Sequence, residues 1–580
     1  MGAALGALLG GWWLVGDLGF VRALQLAAGL EAVAAVLAVS LAVRLPRTPP
    51  PVPVAPALRT GREGRGLLSW CLLVFLSGYV IVALEILWVR LLGQVGQYHA
   101  YLFPTVLGVF LLADGLGMVV GARWLRRIAD PRPAFFIAQG AGFVLAAALT
   151  GLLWWLLPHP PLAVIMNVDG NRLSHASLAG LVVLAFVVVG PPSFAIGLTF
   201  AFVQKAVQRD LSSVGARVGW IQFATIAGNV AGSLGTGLVS LHWLGTTGTL
   251  QLLGGVTLLL LLGWLWRARR WRAPETALAA LSGLFLIAVP GPDAWWARFH
   301  AVGPDQAVVV AEDRSGVAVF RADPGVTDEA RGQFFIQGFS QARLPFLDIH
   351  QFLGAVGPLL HPSPRQVLAI GIGSGGTPWA CGIRPESRVR AIEIVSPVLT
   401  VLSEVAERHP ESPLGRMKAD PRGTFEVGDG RRLLSRDTTR YDVIEADAVL
   451  PSGSLAGLLY SAEFLERVRQ RLAPGGLYVQ WAPTSRTIKT FVSVFPHVLL
   501  LLRPASVLIG SNEPIVFDPE ALRAAFRVPA HQEHLRAGTP WVDDWGALFA
   551  EEAVRWTPGR PPSVAPLTDL FPRDEFFLNN

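Results

Sequence analysis

Hydrophobic positions fall into two regimes along the chain. Up to about residue 290 they form long, nearly unbroken runs, and beyond about residue 305 they form short runs separated by polar turns. A helix that crosses a bilayer needs roughly 20 consecutive apolar residues. Stretches of that kind cover 19–43, 66–92, 101–122, 133–157, 176–204, 216–241 and 246–266, with two shorter ones at 3–16 and 275–289. The proline- and arginine-rich segment 44–65 predicts an extended loop. Gly190-Pro191-Pro192 breaks the helix that begins near 176, which membranes tolerate where neighbouring protein covers the freed carbonyls.

The second regime reads as alternating strands and helices. Val367–Ile370 is a short buried strand that runs into Gly371-Ile372-Gly373-Ser374-Gly375-Gly376, and a second apolar run ends on Glu393. Backbone without Cβ can turn sharply and approach a ligand at the carboxyl end of a parallel strand. An acid about 20 residues further on reaches the tip of the next strand, where it can accept from both hydroxyls of a ribose. Thr424–Val427 followed by Gly428-Asp429-Gly430 predicts a third strand whose acid suits the exocyclic amine of adenine. Tyr441–Ala446 predicts a fourth, delivering Asp447 to the same edge, and Leu472–Trp481 contains a Pro-Gly-Gly turn and a fifth. This is the order of an open, doubly wound sheet that binds a nucleoside at its carboxyl edge.

Composition changes the picture in one respect. At 52% hydrophobic, 16% charged and mean hydropathy +0.46, the 580 residues exclude a single water-soluble globule of ordinary make-up. Cys71 and Cys381, far apart in sequence, suggest neither a disulfide framework nor a metal site. The net charge of +6 does not point to nucleic acid, because its clusters, Arg123 to Arg127 and Arg267 to Arg272, directly follow apolar helices. Placing these and the arginines of segment 44–65 on the cytoplasmic side satisfies the positive-inside rule. If 275–289 also crossed, the second half would lie outside the cell; ending in Pro290-Gly291-Pro292, this stretch reads as interfacial or re-entrant, with the second half cytoplasmic.

The apolar half carries an internal repeat. Gly2-x-x-x-Gly6, Leu18-Gly19 and Leu24-Gln25-Leu26 recur at constant offset as Gly228-x-x-x-Gly232, Leu244-Gly245 and Leu250-Gln251-Leu252. Repeats and small-x-x-x-small spacing are common in transporters. Because the first copy starts at the N-terminus, the reading frame is expected to begin further upstream. Glu85, Arg90 and Asp114 are ionisable groups at membrane depth: the first two read as a structural lock, and Asp114 as the candidate for transport.

Residues 305–580 resemble a spermidine synthase, an aminopropyltransferase of Rossmann-like fold. The resemblance rests on His361–Leu368, the glycine turn, Glu393-Ile394, Gly428-Asp429-Gly430, Tyr441–Ile444 with Asp447, and Leu459–Phe464, with Gln333–Gln341 and His350 upstream. The whole chain resembles a membrane-embedded bacterial branch in which a transporter-like bundle precedes a synthase-like domain. The resemblance implies a multi-pass helical membrane domain over 1–292, a linker and small β-rich lead-in over 293–364, and a Rossmann-like domain over 365–580. It implies Asp447 as catalytic acid-base group. Gly371, Gly373, Ser374, Gly375, Glu393, Asp429 and Gly430 would hold the donor, and His350 and Gln341 the acceptor. The implied donor is decarboxylated S-adenosylmethionine, or S-adenosylmethionine itself, with no metal. The implied partners are the bilayer of the bacterial inner membrane and a small amine; a homo-oligomer is compatible with the family. Thr568-Asp569 and Glu575-Phe576 resemble that branch's closing motif.

Three positions depart from the family pattern. Ser374 stands where synthases carry an acid in the glycine turn, Leu450 where a second acid follows the catalytic one, and Val395 where an acid follows the ribose-binding Glu. A dicationic acceptor and a charged aminopropyl group need carboxylate partners once out of water. Two other functions fit: methyl transfer from intact S-adenosylmethionine, and a transporter with a nucleoside-binding regulatory domain.

Overall fold

A computed structural model describes residues 1–44, 61–159, 175–207, 214–269, 271–325, 330–447, 450–548, 553–556 and 565–579. The chain forms two compact units. One runs to Trp295; the other starts at Trp296 and also takes in Gln94–Ala100.

The first unit is helical. Among the described residues seven helices are long and apolar enough to cross a membrane by length and composition: Gly2–Arg44, Gly66–Gly96, Leu102–Trp124, Pro131–Leu156, Ser177–Val207, Gly215–Trp243 and Gly245–Ala268. The stretches expected separately at 3–16 and 19–43 are one helical element of 43 residues. Its irregularities are a π-helical turn at Gly10–Leu14 and a kink at Gly19, where φ is 75°. The second copy of the repeat carries the same devices, a π-turn at Gly235–Ser240 and φ of 64° at Gly245. Only glycine enters that region without a steric penalty, so the repeated Leu-Gly pairs are repeated bends. The small-x-x-x-small pairs differ: a Cβ on Gly228 or Gly232 would meet the Phe75 or Tyr79 carbonyl oxygen at 2.1 and 2.6 Å, whereas Gly2 and Gly6 face open space. Ala273–Ala288 passes the same test only together with Pro292–Phe299, from which it is bent by 86°.

The second unit holds two sheets. β1 (Val308–Asp313), β2 (Gly316–Ala322), β3 (Gly332–Ile336) and β4 (Phe339–Leu344) form an antiparallel meander in chain order. Helix α1 (Asp348–Leu360) follows, burying Phe352, Leu353, Val356 and Leu359, an apolar face of helical period. At Gly357 it comes so close to the large sheet that a Cβ would lie 2.8 Å from Val443 and Val479.

The large sheet has eight strands. β5 (Gln366–Ile370), β6 (Arg388–Glu393), β7 (Gly423–Val427), β8 (Tyr441–Ala446) and β9 (Leu472–Trp481) are parallel, ordered β7-β6-β5-β8-β9. β11 (Val507–Ser511) pairs antiparallel with β9, and β10 (His497–Leu501) and β12 (Ala553–Trp556) complete that side. Chain order reverses direction at β5, so the gap between β5 and β8 is a topological switch point, where such sheets open a crevice at their carboxyl edge. Helices cover both faces: α1, α2 (Gly376–Cys381) and α3 (Ser396–Arg408) on one, and α4 (Gly430–Arg436), α5 (Ala462–Arg471) and α6 (Ser485–Val494) on the other.

Candidate active site

The glycine turn begins where β5 ends. Gly371, Gly373 and Gly375 have φ of 94°, 56° and 100°, in the region closed to most side chains. Gly371 also needs the space, since its Cβ would lie 2.7 Å from the Asp447 carbonyl oxygen. The turn is shaped around Glu393, whose carboxylate accepts from the amides of Ile372 and Val395, both at 3.0 Å. Burial pushes the Glu393 carboxyl up, and backbone donors of Val395, Ile372, Gly373 and Ile394 oppose it. Ile372 donates to Oε2 and Val395 to Oε1, so each oxygen of a carboxylate with about four acceptor positions is engaged at least once by the turn. Next to Glu393 in the chain, Ile394 is 62% exposed, and Val427, which pairs with Glu393 across the strand ends, is 56% exposed. Two uncovered aliphatic side chains beside a buried carboxylate form an apolar rim suited to a flat ring attached to a sugar.

Asp447 stands at the tip of β8, its amide donating to the Ile370 carbonyl at 3.2 Å. Its Oδ2 is hydrogen-bonded to His350 Nδ1 at 2.6 Å and accepts from Thr377 Oγ1 at 2.7 Å. Thr377 Oγ1 also lies 3.1 Å from the His350 carbonyl, tying the start of α1 to that of α2. Among the described residues Oδ1 has no hydrogen-bond partner, leaving one oxygen of Asp447 for a ligand. Burial alone would raise the Asp447 carboxyl, but the His350 charge and the hydrogen bonds from His350 and Thr377 outweigh it and hold it below the usual range. Glu393 and Asp447 therefore flank one glycine turn at one edge of the sheet.

Beneath Asp447, two residues back on the same face of β8, lies Glu445. It is fully buried, and among the described residues neither oxygen has a hydrogen-bond partner. Burial first, and then the charge of Asp447, drive its carboxyl far above the usual range. The two acids are thus held apart in protonation: Glu445 keeps its proton and Asp447 its charge.

The other expected donor residues are more peripheral. Asp429 is exposed and caps α4, its Oδ1 accepting from the Arg431 amide at 2.9 Å. Gly430 packs on Ile370, where a Cβ would come within 2.6 Å. Ser374 is buried inside the turn. His350, expected on the acceptor side, has its Nδ1 2.6 Å from Asp447 Oδ2. Gln341 lies on β4, and its side chain falls outside the described residues. Thr377 was missed because a threonine in the first turn of a short helix carries no chemical signature. Among the described residues no group of three or more His, Cys, Asp or Glu is placed to hold a metal ion.

The spermine/spermidine synthase domain family matches residues 347–492, which contain this whole constellation. The polyamine aminopropyltransferase of Thermococcus kodakarensis is 35% identical over 136 residues, 23% of this chain and 46% of that protein. Polyamine aminopropyltransferase 2 of Hyperthermus butylicus is 35% identical over 170 residues, covering 27% and 53%. The chain spans about half the length of these curated relatives. A solved spermidine synthase in complex with the transition state analogue AdoDATO aligns at 19% identity and TM-score 0.30, over 40% of this chain and 86% of that one.

Proposed function

We propose that the second unit is an aminopropyltransferase, moving an aminopropyl group from decarboxylated S-adenosylmethionine to an amine in polyamine biosynthesis. The observation that carries it is the convergence of Glu393 and Asp447 on a single glycine turn at the switch point of the sheet. Glu393 accepts the ribose hydroxyls, and Ile394 and Val427 flank the adenine. The acceptor must react as a free amine, because an ammonium has no lone pair. Asp447, ionised and with Oδ1 unoccupied, orients the incoming ammonium and takes one of its protons. The freed lone pair attacks the carbon next to the sulfonium. The carbon–sulfur bond breaks toward sulfur, and neutral methylthioadenosine leaves.

His350 and Thr377 hold the carboxylate in its charged form and fix its rotation. The match with residues 347–492 and the similarity to polyamine aminopropyltransferases support this reading. With Ser374, Val395 and Leu450 in place of acids, the site favours an acceptor of lower charge than a diamine dication. The helical unit is read as a multi-pass anchor in the bacterial inner membrane, with the catalytic unit cytoplasmic. The test is to incubate the full chain in detergent with decarboxylated S-adenosylmethionine and a series of mono- and diamines. Release of methylthioadenosine with a matching aminopropylated amine supports the assignment, and release of none of it overturns the assignment.

Ser374 favours a second reading, methyl transfer from S-adenosylmethionine, whose own carboxylate balances its ammonium without an acid from the protein. Formation of S-adenosylhomocysteine instead of methylthioadenosine in the same incubation would select it.

A further inference from the structure

The closing motif, Thr568-Asp569 and Glu575-Phe576, has no place in the chemistry above. In the fold it belongs to a C-terminal strap, residues 565–579, held by three acids. Asp569 receives a bidentate pair from Arg431 of α4 at 2.8 and 2.6 Å and accepts from Ser461 Oγ at 2.6 Å. Asp574 accepts from Arg486 Nη1 at 2.5 Å and Thr484 Oγ1 at 2.6 Å, at the start of α6. Both of these acids anchor the strap at helix starts.

Glu575 does something different. Its Oε2 accepts from the Leu455 amide at 3.1 Å and its Oε1 from the Gly457 amide at 3.0 Å. Leu455 has φ of 65°, an uncommon conformation for a residue with a branched side chain, and one that persists only where the surroundings impose it. Gly457 admits no side chain: a Cβ there would lie 2.8 Å from both Glu575 Oε1 and Pro572. A buried carboxyl, which burial pushes up to about 7, thus brackets the strained residue with two hydrogen bonds.

The loop so held starts at Leu450, three residues after Asp447, and a Cβ at Gly453 would lie 4.0 Å from the Phe339 ring at the head of β4. It therefore bridges the catalytic tip of β8 and the strand that carries Gln341, the side assigned to the acceptor. Its far end is tied to the donor side, since Arg431, two residues past Asp429, donates to the Leu458 carbonyl and to Ser461 Oγ.

We propose that Glu575 is a positioning residue, its carboxylate setting the loop after Asp447 into the conformation that forms the acceptor side of the site. This rests on the aminopropyltransferase reading for its consequence, but not for the loop geometry. The test uses the full chain in detergent and compares wild type with Glu575→Ala, Glu575→Gln and, as a strap control, Asp574→Ala. Hydrogen exchange at residues 450–460 and the separate KM values of amine and donor are measured.

Glu575→Ala is expected to speed exchange at the Leu455 and Gly457 amides and to raise the amine KM, each by about tenfold or more, with the donor KM changed by less than about twofold. Glu575→Gln, which keeps one acceptor oxygen, should fall between. Asp574→Ala should lower Tm while sparing the amine KM. Unchanged exchange in Glu575→Ala overturns the proposal. So does an equal change of both KM values in Glu575→Ala and Asp574→Ala, the mark of a merely structural strap. If wild type transfers no aminopropyl group, the functional reading fails, and exchange at 455–457 alone decides the positioning claim.

Discussion

Asp447 and Glu445 leave one face of one strand two residues apart and end in opposite electrostatic states. Asp447 has His350 and Thr377 on Oδ2; among the described residues Glu445 has no hydrogen-bond partner. For Asp447 the folded-state carboxyl is depressed, so its contribution to stability is present above the unfolded value and lost as pH falls through the folded one. Thr377→Val removes one of the donors responsible. The acid limb of the pH–rate profile is then expected to move to higher pH, and an unmoved limb would separate Thr377 from Asp447. For Glu445 the sign is reversed: the folded-state value is raised, so stability is full below the unfolded value and falls as pH rises above it, by up to about 1.4 kcal/mol per pH unit. Glu445→Gln removes that slope, and its Tm should exceed that of wild type at about pH 8 and approach it near pH 4; melting curves across this range check it.

At this scale the sequence showed which residues matter better than what they touch. Glu393 and Asp447 were legible as strand-end acids. The pairing of His350 with Asp447 was not, because 97 residues separate them and an isolated histidine in an apolar helix looks like core. The side on which Glu445 falls was illegible too, since it depends on how far the strand runs before Asp447 turns out.

Among the elements, β5 to β8 were readable because each runs into a glycine or an acid after a short apolar run, and β9 because a Pro-Gly-Gly turn precedes its apolar run. β10 and β11 have no such punctuation, and their antiparallel insertion beside β9 follows from tertiary pairing alone. In the first apolar span the sequence suggested two segments, 3–16 and 19–43, and the backbone does leave helical geometry between them, at Gly19 with φ 75° and ψ 169°, where two helices meet at a kink. The glycine turn gives a direct test. Gly371→Ala would force a Cβ to 2.7 Å from the Asp447 carbonyl at φ of 94°, so it should abolish methylthioadenosine binding in calorimetry while the helical unit's far-ultraviolet signal persists. Retained binding would mean that the turn is not where the nucleoside sits.

On the scale of the whole molecule, the chain divides into two compact units, and hydropathy along the sequence changes regime between about residues 290 and 305. An exception is Gln94–Ala100, which lies between two apolar helices but belongs to the second unit, where Ser454 donates its amide to the Tyr98 carbonyl at 2.7 Å. The sequence reading made no assignment for that segment, because contacts made hundreds of residues away leave no local pattern. The arginine clusters lead us to expect the C-terminus in the cytoplasm. An alkaline phosphatase reporter after Asn580 should be inactive and a fluorescent one bright; the reverse would place the catalytic unit outside.

The central claim is that Glu393 and Asp447 serve one bound donor. Methylthioadenosine release, followed in wild type, Glu393→Gln and Asp447→Asn with donor binding recorded in the same samples, tests it most directly. The account predicts that Glu393→Gln loses binding and release together, whereas Asp447→Asn binds like wild type but releases product about 100-fold more slowly or less. Full turnover by Asp447→Asn, or undiminished binding by Glu393→Gln, would contradict it.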